Sequence, residues 1–95
     1  MTQKHKITVK FYPPLKETLG VGSVTITARD AGEAIEILSG RFGKKFTSEV
    51  LEDDGSVKNY FILLLDGKAV DQKNPAASKF VEGSVLHVLP PVAGG

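Results

Sequence analysis

The sequence predicts an α+β fold, a four- to five-stranded mixed sheet packed on one main helix. Three observations predict it. Apolar and polar residues alternate near both ends of the chain, one long stripe at helical spacing lies between them, and Asp66-Gly67 marks a tight hairpin. With 95 residues, 41% of them hydrophobic and 24% charged, the chain has the size of one domain and is too apolar for a disordered one.

From Lys6 to Tyr12, the residues Ile7, Val9 and Phe11 alternate with Thr8, Lys10 and Tyr12, the period of a strand buried on one face. Pro13 and Pro14 lack an N–H and end that ladder. Leu15 to Leu19 is expected to form a helical turn inside a long hairpin connection, and after Gly20-Val21-Gly22 a second alternation runs through Val24, Ile26 and Ala28. Asp30 followed by Glu33 is a capping-box-like pair that opens the main helix, with Ala31, Ala34 or Ile35, Leu38 and Phe42 at helical spacing. Gly43 is expected to close it in a left-handed C-cap, with Lys44 and Lys45 just beyond, suiting the negative end of the helix dipole. Gly32 and Gly40 each cost about 1 kcal/mol relative to Ala, so tertiary packing must hold this helix.

Thr47 to Ser56 carries only a weak pattern and ends in an Asp54-Gly55 turn. Tyr60 to Leu65 is apolar at every position, as expected of a strand buried on one side and partly covered on the other. Asp66-Gly67 then suits a type I′ turn returning the chain through Lys68, Ala69 and Val70. Asp71 to Ser78 reads as surface loop anchored by Phe80, and Gly83 precedes a last strand from Ser84 to Leu89, expected to lie beside the first. Strand, strand, helix, strand, short strand, strand at this size is the order of the ubiquitin-like β-grasp. A ferredoxin-like sheet would need a second helix.

Composition removes several function classes. Twelve Lys and Arg against eleven Asp and Glu leave a net charge of +1, which argues against nucleic acid as a partner. No apolar run is long enough to span a membrane, and the polar start Met1 to Lys6 has no signal-peptide core, so a cytoplasmic protein is expected. With no cysteine there is no disulfide and no thiol nucleophile, and with only His5 and His87, far apart, no metal site is expected. No nucleophile elbow or phosphate-binding loop is present, and Gly40-Arg41-Phe42-Gly43 falls at the end of the helix, so the chain is not expected to be an enzyme by itself. His87 shares a face with Val85 and Leu89, as a packed sheet histidine or a partner contact.

The informative segment is the end, Pro90, Pro91, Val92, Ala93, Gly94 and Gly95. With ten glycines in 95 residues, a Gly-Gly terminus arises by chance about one time in a hundred. Residues 1–89 are taken as the domain and 90–95 as an extended tail, held straight by two prolines and able to reach roughly 20 Å. Gly94 and Gly95 carry no Cβ and can enter a channel closed to any side chain. Such a tail presents a carboxylate, a poor electrophile until ATP adenylates it. The absence of cysteine agrees with sulfur carried on that carbonyl.

Phe11-Tyr12 with Leu15-Lys16-Glu17 and Gly20, the helix Asp30 to Phe42, the Asp53-Asp54-Gly55 turn, Ile62 to Lys68 and the terminal Pro-Pro-Val-Ala-Gly-Gly together resemble the molybdopterin synthase small subunit and related ubiquitin-like sulfur carriers. The resemblance covers nearly the whole chain, and the terminal six residues are its most specific part. Asp66-Gly67 stands where the family has Asn-Gly, and Gly83-Ser84 departs from its usual acidic residue after that glycine.

The resemblance implies that Gly95 is adenylated by a ubiquitin-activating-type enzyme using ATP and thiocarboxylated with sulfur from a sulfur-donating enzyme. The tail then enters the large subunit of the synthase, which builds the dithiolene of the molybdenum or tungsten cofactor. It also implies a hydrophobic partner interface, for which Phe11, Leu63, Leu65, His87 and Leu89 are the candidates by position. Carriers for cysteine or thiamine synthesis and modifiers conjugated to lysines share the Gly-Gly end and stand as alternatives.

Overall fold

In the computed structural model, which describes residues 3–90, five strands form one mixed sheet in the order β2-β1-β5-β3-β4. Strand β1 (His5–Phe11) buries Ile7, Val9 and Phe11, and pairs antiparallel with β2 (Ser23–Ala28), setting Ile7 opposite Ile26 and Val9 opposite Val24. Between them the helical turn α1 (Leu15–Leu19) buries Leu15 and Leu19. Strand β5 (Val85–Leu89) lies parallel to β1, so the two end strands are adjacent as expected.

The main helix α2 (Ala31–Phe42) lays Ala31, Ala34, Ile35 and Leu38 on the inner side of the sheet, and Phe42 meets Phe11 edge to face with ring centroids 5.8 Å apart. Its N-terminus is capped as the Asp30/Glu33 spacing predicts, the Asp30 carboxylate accepting from the Glu33 N–H at 2.8 Å. The reciprocal half differs. The Glu33 carboxylate accepts from the backbone N–H of Arg29 at 2.8 Å, one residue earlier than in a capping box.

Two expectations for the helical layer are corrected. Gly43 has φ 61 and ψ −138, outside the left-handed helical region, and Lys44 and Lys45 begin a further helix, α3 (Lys44–Val50), instead of trailing from α2. Phe46 and Val50, four apart and both 1% exposed, anchor α3 against the core. The layer therefore holds a main helix and two short ones.

Strand β3 (Ile62–Leu65) pairs antiparallel with β5 and, through a hairpin, with β4 (Lys68–Ala69). Both turn residues have positive φ, 49 at Asp66 and 89 at Gly67, as type I′ requires. The Asp66 carboxylate also accepts from the Val85 N–H at 2.9 Å, tying the turn to β5. The partial cover expected on the second side of Tyr60 to Leu65 holds at Leu64, which is half-buried, but not at Ile62, which is 41% exposed; Tyr60, 52% exposed, lies before the strand. Phe80 is buried as expected, and a 3-10 turn at Pro75–Ala77 adds the only further helical structure among the described residues. No helix among them is long and apolar enough to cross a membrane.

Candidate functional site at the open sheet face and the tail root

The strand that leads to the C-terminus is the middle one of five. β5 lies between β1 and β3, so Pro90, directly after it, stands at the centre of one end of the sheet. Of the predicted tail, Pro90 is described and half-buried, while Pro91, Val92, Ala93, Gly94 and the reactive Gly95 lie outside the described residues. Beside Pro90 is a groove of about 600 Å³, walled by Pro13, Pro14, Tyr60 and Phe61, with Glu49 and Lys58 at its polar edge. Both charged groups are engaged. Glu49 accepts from the Thr18 hydroxyl at 2.6 Å, and the Lys58 ammonium donates to the Ser48 carbonyl at 2.9 Å.

The helix-free side of the sheet adjoins this groove. The registers place Lys10 of β1, His87 of β5 and Leu64 of β3 side by side in one row, with Leu89 opposite Ile62 in the next. Side chains opposite one another in a sheet project to the same face, so these residues form a continuous surface. Within it the Tyr12 hydroxyl lies 2.7 Å from His87 Nδ1, and the two rings stack at 25° with centroids 5.9 Å apart.

This geometry sorts the interface residues predicted from sequence. His87 and Leu89 lie half-buried on the open face. Phe11 and Leu63 do not: each is 2% exposed and points into the helical layer, so neither side chain can reach a partner. Leu65, opposite Leu86, packs against that same core. Lys10, Tyr12, Ile62 and Leu64 are residues of the face that sequence reasoning missed. Strand parity could have found Tyr12, since it alternates with Phe11. Ile62 to Leu65 offers no alternation, so only its register against β5 separates the two faces.

Among the described residues no cluster of three or more His, Asp or Glu could hold a metal ion. Neither a protein-family model nor a curated protein matches the chain. Solved structures do. The crystal structure of the small archaeal modifier protein SAMP1 from Haloferax volcanii superposes with a TM-score of 0.81 at 26% identity, over 95% of this chain and 99% of that one. The complex of subunits 1 and 2 of molybdopterin-converting factor from Helicobacter pylori gives a TM-score of 0.63 at 27% identity, with 95% and 99% covered. The BexX/CysO complex of Amycolatopsis orientalis gives 0.78 at 20% identity, covering 94% of this chain and 99% of the other, a likeness of fold alone. These neighbours share the ubiquitin-like β-grasp, and this chain has their fold. Two of the three structures hold the small protein with a partner protein.

Proposed function

We propose that the protein is a sulfur carrier working through the carboxylate of Gly95, as the small subunit of a molybdopterin synthase. In this reading the carboxylate oxygen attacks the α-phosphate of ATP on a separate activating enzyme, releasing pyrophosphate. A sulfur nucleophile from a donor enzyme then displaces AMP and leaves sulfur on the terminal carbonyl. The large subunit takes that sulfur for the dithiolene of the molybdenum or tungsten cofactor, and the carrier returns as a carboxylate.

The observation that supports this reading is the place of Pro90 at the end of the central strand, beside an open apolar sheet face. A partner seated on that face would lie where the tail departs. Residues 90–95 can then span up to roughly 20 Å to a reaction centre inside the partner, with only glycine backbone at the tip. The carrier supplies a positioned acyl group and the partner supplies the catalytic side chains.

The TM-score of 0.81 to SAMP1 favours a second reading, in which a lysine amine on a target protein displaces AMP and the chain becomes a conjugated modifier. One experiment separates the two. The chain is incubated with an activating enzyme, ATP and a sulfur donor and then weighed intact. Replacement of one terminal oxygen by sulfur supports the carrier, and an isopeptide bond from Gly95 to lysine supports the modifier. An unchanged mass with the activating enzyme of the same organism overturns both.

A further inference from the structure

The groove beside Pro90 lies between Pro13 and Pro14 after β1, Ser48 and Glu49 of α3, and Lys58, Tyr60 and Phe61 before β3. Its apolar walls are proline rings and two aromatic rings whose centroids stand 5.6 Å apart. Phe61 is buried, whereas Tyr60 is the exposed aromatic ring among the described residues.

The polar edge has a cation with donors to spare. The Lys58 ammonium stands 5.9 Å from the centre of the Tyr60 ring and gives one N–H to the Ser48 carbonyl, and an ammonium has further N–H groups to donate. Among the described residues Lys58 takes part in no ion pair. Glu49, the acid on this groove, accepts from the Thr18 hydroxyl and is not paired with Lys58.

What the chain can place there is its own end. Pro90 is itself a wall of the groove, so residues 91–95 follow directly from it. Pro91, Val92, Ala93, Gly94 and Gly95 have no charged or hydrogen-bonding side chain, and extended they span up to roughly 17 Å. Lys58 and Pro90 line one groove of about 600 Å³, which is within that reach. Proline-led extended segments suit aromatic-lined grooves because they have little conformational entropy left to lose. So short a tether also sets an effective concentration on the order of millimolar, so an intrinsic affinity of that order holds a substantial fraction docked.

We propose that in the free protein residues 91–95 fold back into this groove, with Pro91 and Val92 against Tyr60 and Phe61 and the Gly95 carboxylate on the Lys58 ammonium. The consequence rests on the carrier reading: a docked Gly95 is withheld from the activating enzyme and must leave the groove before it is adenylated. The apparent affinity of that enzyme for the carrier is reduced to the undocked fraction. Lys58 and Glu49 act with opposite sign, one holding the terminal carboxylate and the other repelling it.

The test is nuclear Overhauser spectroscopy on the labelled full chain without a partner. Cross-peaks from the Val92 methyls to the Tyr60 and Phe61 rings are expected, weaker in Lys58→Gln and stronger in Glu49→Gln. In ATP–pyrophosphate exchange by the activating enzyme of the same organism, Lys58→Gln should lower the KM for the carrier about two- to fivefold with kcat unchanged. Glu49→Gln should raise it. A lysine that merely touched the enzyme would give a higher KM when lost. Thermal midpoints equal to wild type exclude unfolding as the cause. Should Lys58→Gln lower the midpoint, Tyr60→Ser, which removes an exposed ring of the wall, takes its place with the same expected fall in KM.

Absence of the Val92 cross-peaks in wild type, cross-peaks found only between labelled and unlabelled copies, or a higher KM for Lys58→Gln overturns the docking. If exchange proceeds in that case, the carrier reading stands without it. If the cross-peaks are present and the wild-type chain supports no exchange, the docking stands and the carrier reading fails.

Discussion

Glu33 accepts three hydrogen bonds from Arg29, one from its backbone N–H at 2.8 Å and two from its guanidinium at 3.3 and 3.1 Å, while Lys4 adds an ion pair at 3.2 Å. These contacts, with the Arg29 side chain foremost and its backbone next, push the Glu33 carboxyl down to about 2. An unfolded glutamate titrates near pH ~4.3, so folding favours the ionised form. The stabilisation is then complete above that value and is lost as pH falls toward and through 2. Denaturation midpoints measured from pH 6 down to pH 2 should fall more steeply for wild type than for Glu33→Gln. Parallel curves would show that this network does not couple to folding.

The core makes a prediction independent of any partner. Leu38 is 0% and Phe46 1% exposed, and they anchor the main helix and the short helix after it. Leu38→Ala should cost about 2–5 kcal/mol and Phe46→Ala about 3–5 kcal/mol in urea unfolding, from lost burial and the cavity left behind. Both variants should lower activity only through the fraction of folded protein.

At the β3–β4 turn, Gly67 has φ 89 and nothing within 4 Å of where a Cβ would stand, so any cost of Gly67→Ala is conformational and not steric. That cost should be about 1–2 kcal/mol by chemical denaturation. Gly40 lies inside the main helix, also with open space around its Cβ position and without positive φ. Gly40→Ala should stabilise by about 0.5–1 kcal/mol.

Where an element carried its own period, the sequence was sufficient to read it. The alternation around Val9 and Val88 sets the core faces of β1 and β5, and the Asp30 and Glu33 spacing sets the start of the main helix. The short helix was illegible for a physical reason. In Lys44–Val50 only Phe46 and Val50 are apolar, Thr47 and Val50 are β-branched, and the preceding Gly43 resembles a stop. What stabilises that helix is burial of two side chains against residues distant in sequence. The candidate site divided along the same line. Position by resemblance picks out His87 and Leu89 on the open face, but it also picks Phe11, Leu63 and Leu65, whose side chains belong to the core or pack against it, because resemblance to a sheet face carries no strand parity.

The proposed role of the tail separates cleanly from the stability of the fold. Among the described residues the buried core cluster reaches no further toward the C-terminus than Val88, and the last strand ends at Leu89. Gly94 and Gly95 lie five and six residues past that end, so their removal should leave the urea midpoint unchanged within error. The chain would then end on Ala93, and its carboxylate would fall short of a partner's reaction centre by roughly 7 Å, too far for attack on ATP. Adenylation and sulfur transfer should both disappear. Gly95→Ala is the finer probe, because it keeps the length and adds one methyl at the terminal residue: if the tail threads a channel closed to side chains, exchange should slow with the urea midpoint unchanged. Full activity of the double deletion in a reconstituted transfer assay would end the carrier reading. A lowered urea midpoint for the same deletion would show instead that the terminal glycines contribute to the stability of the domain.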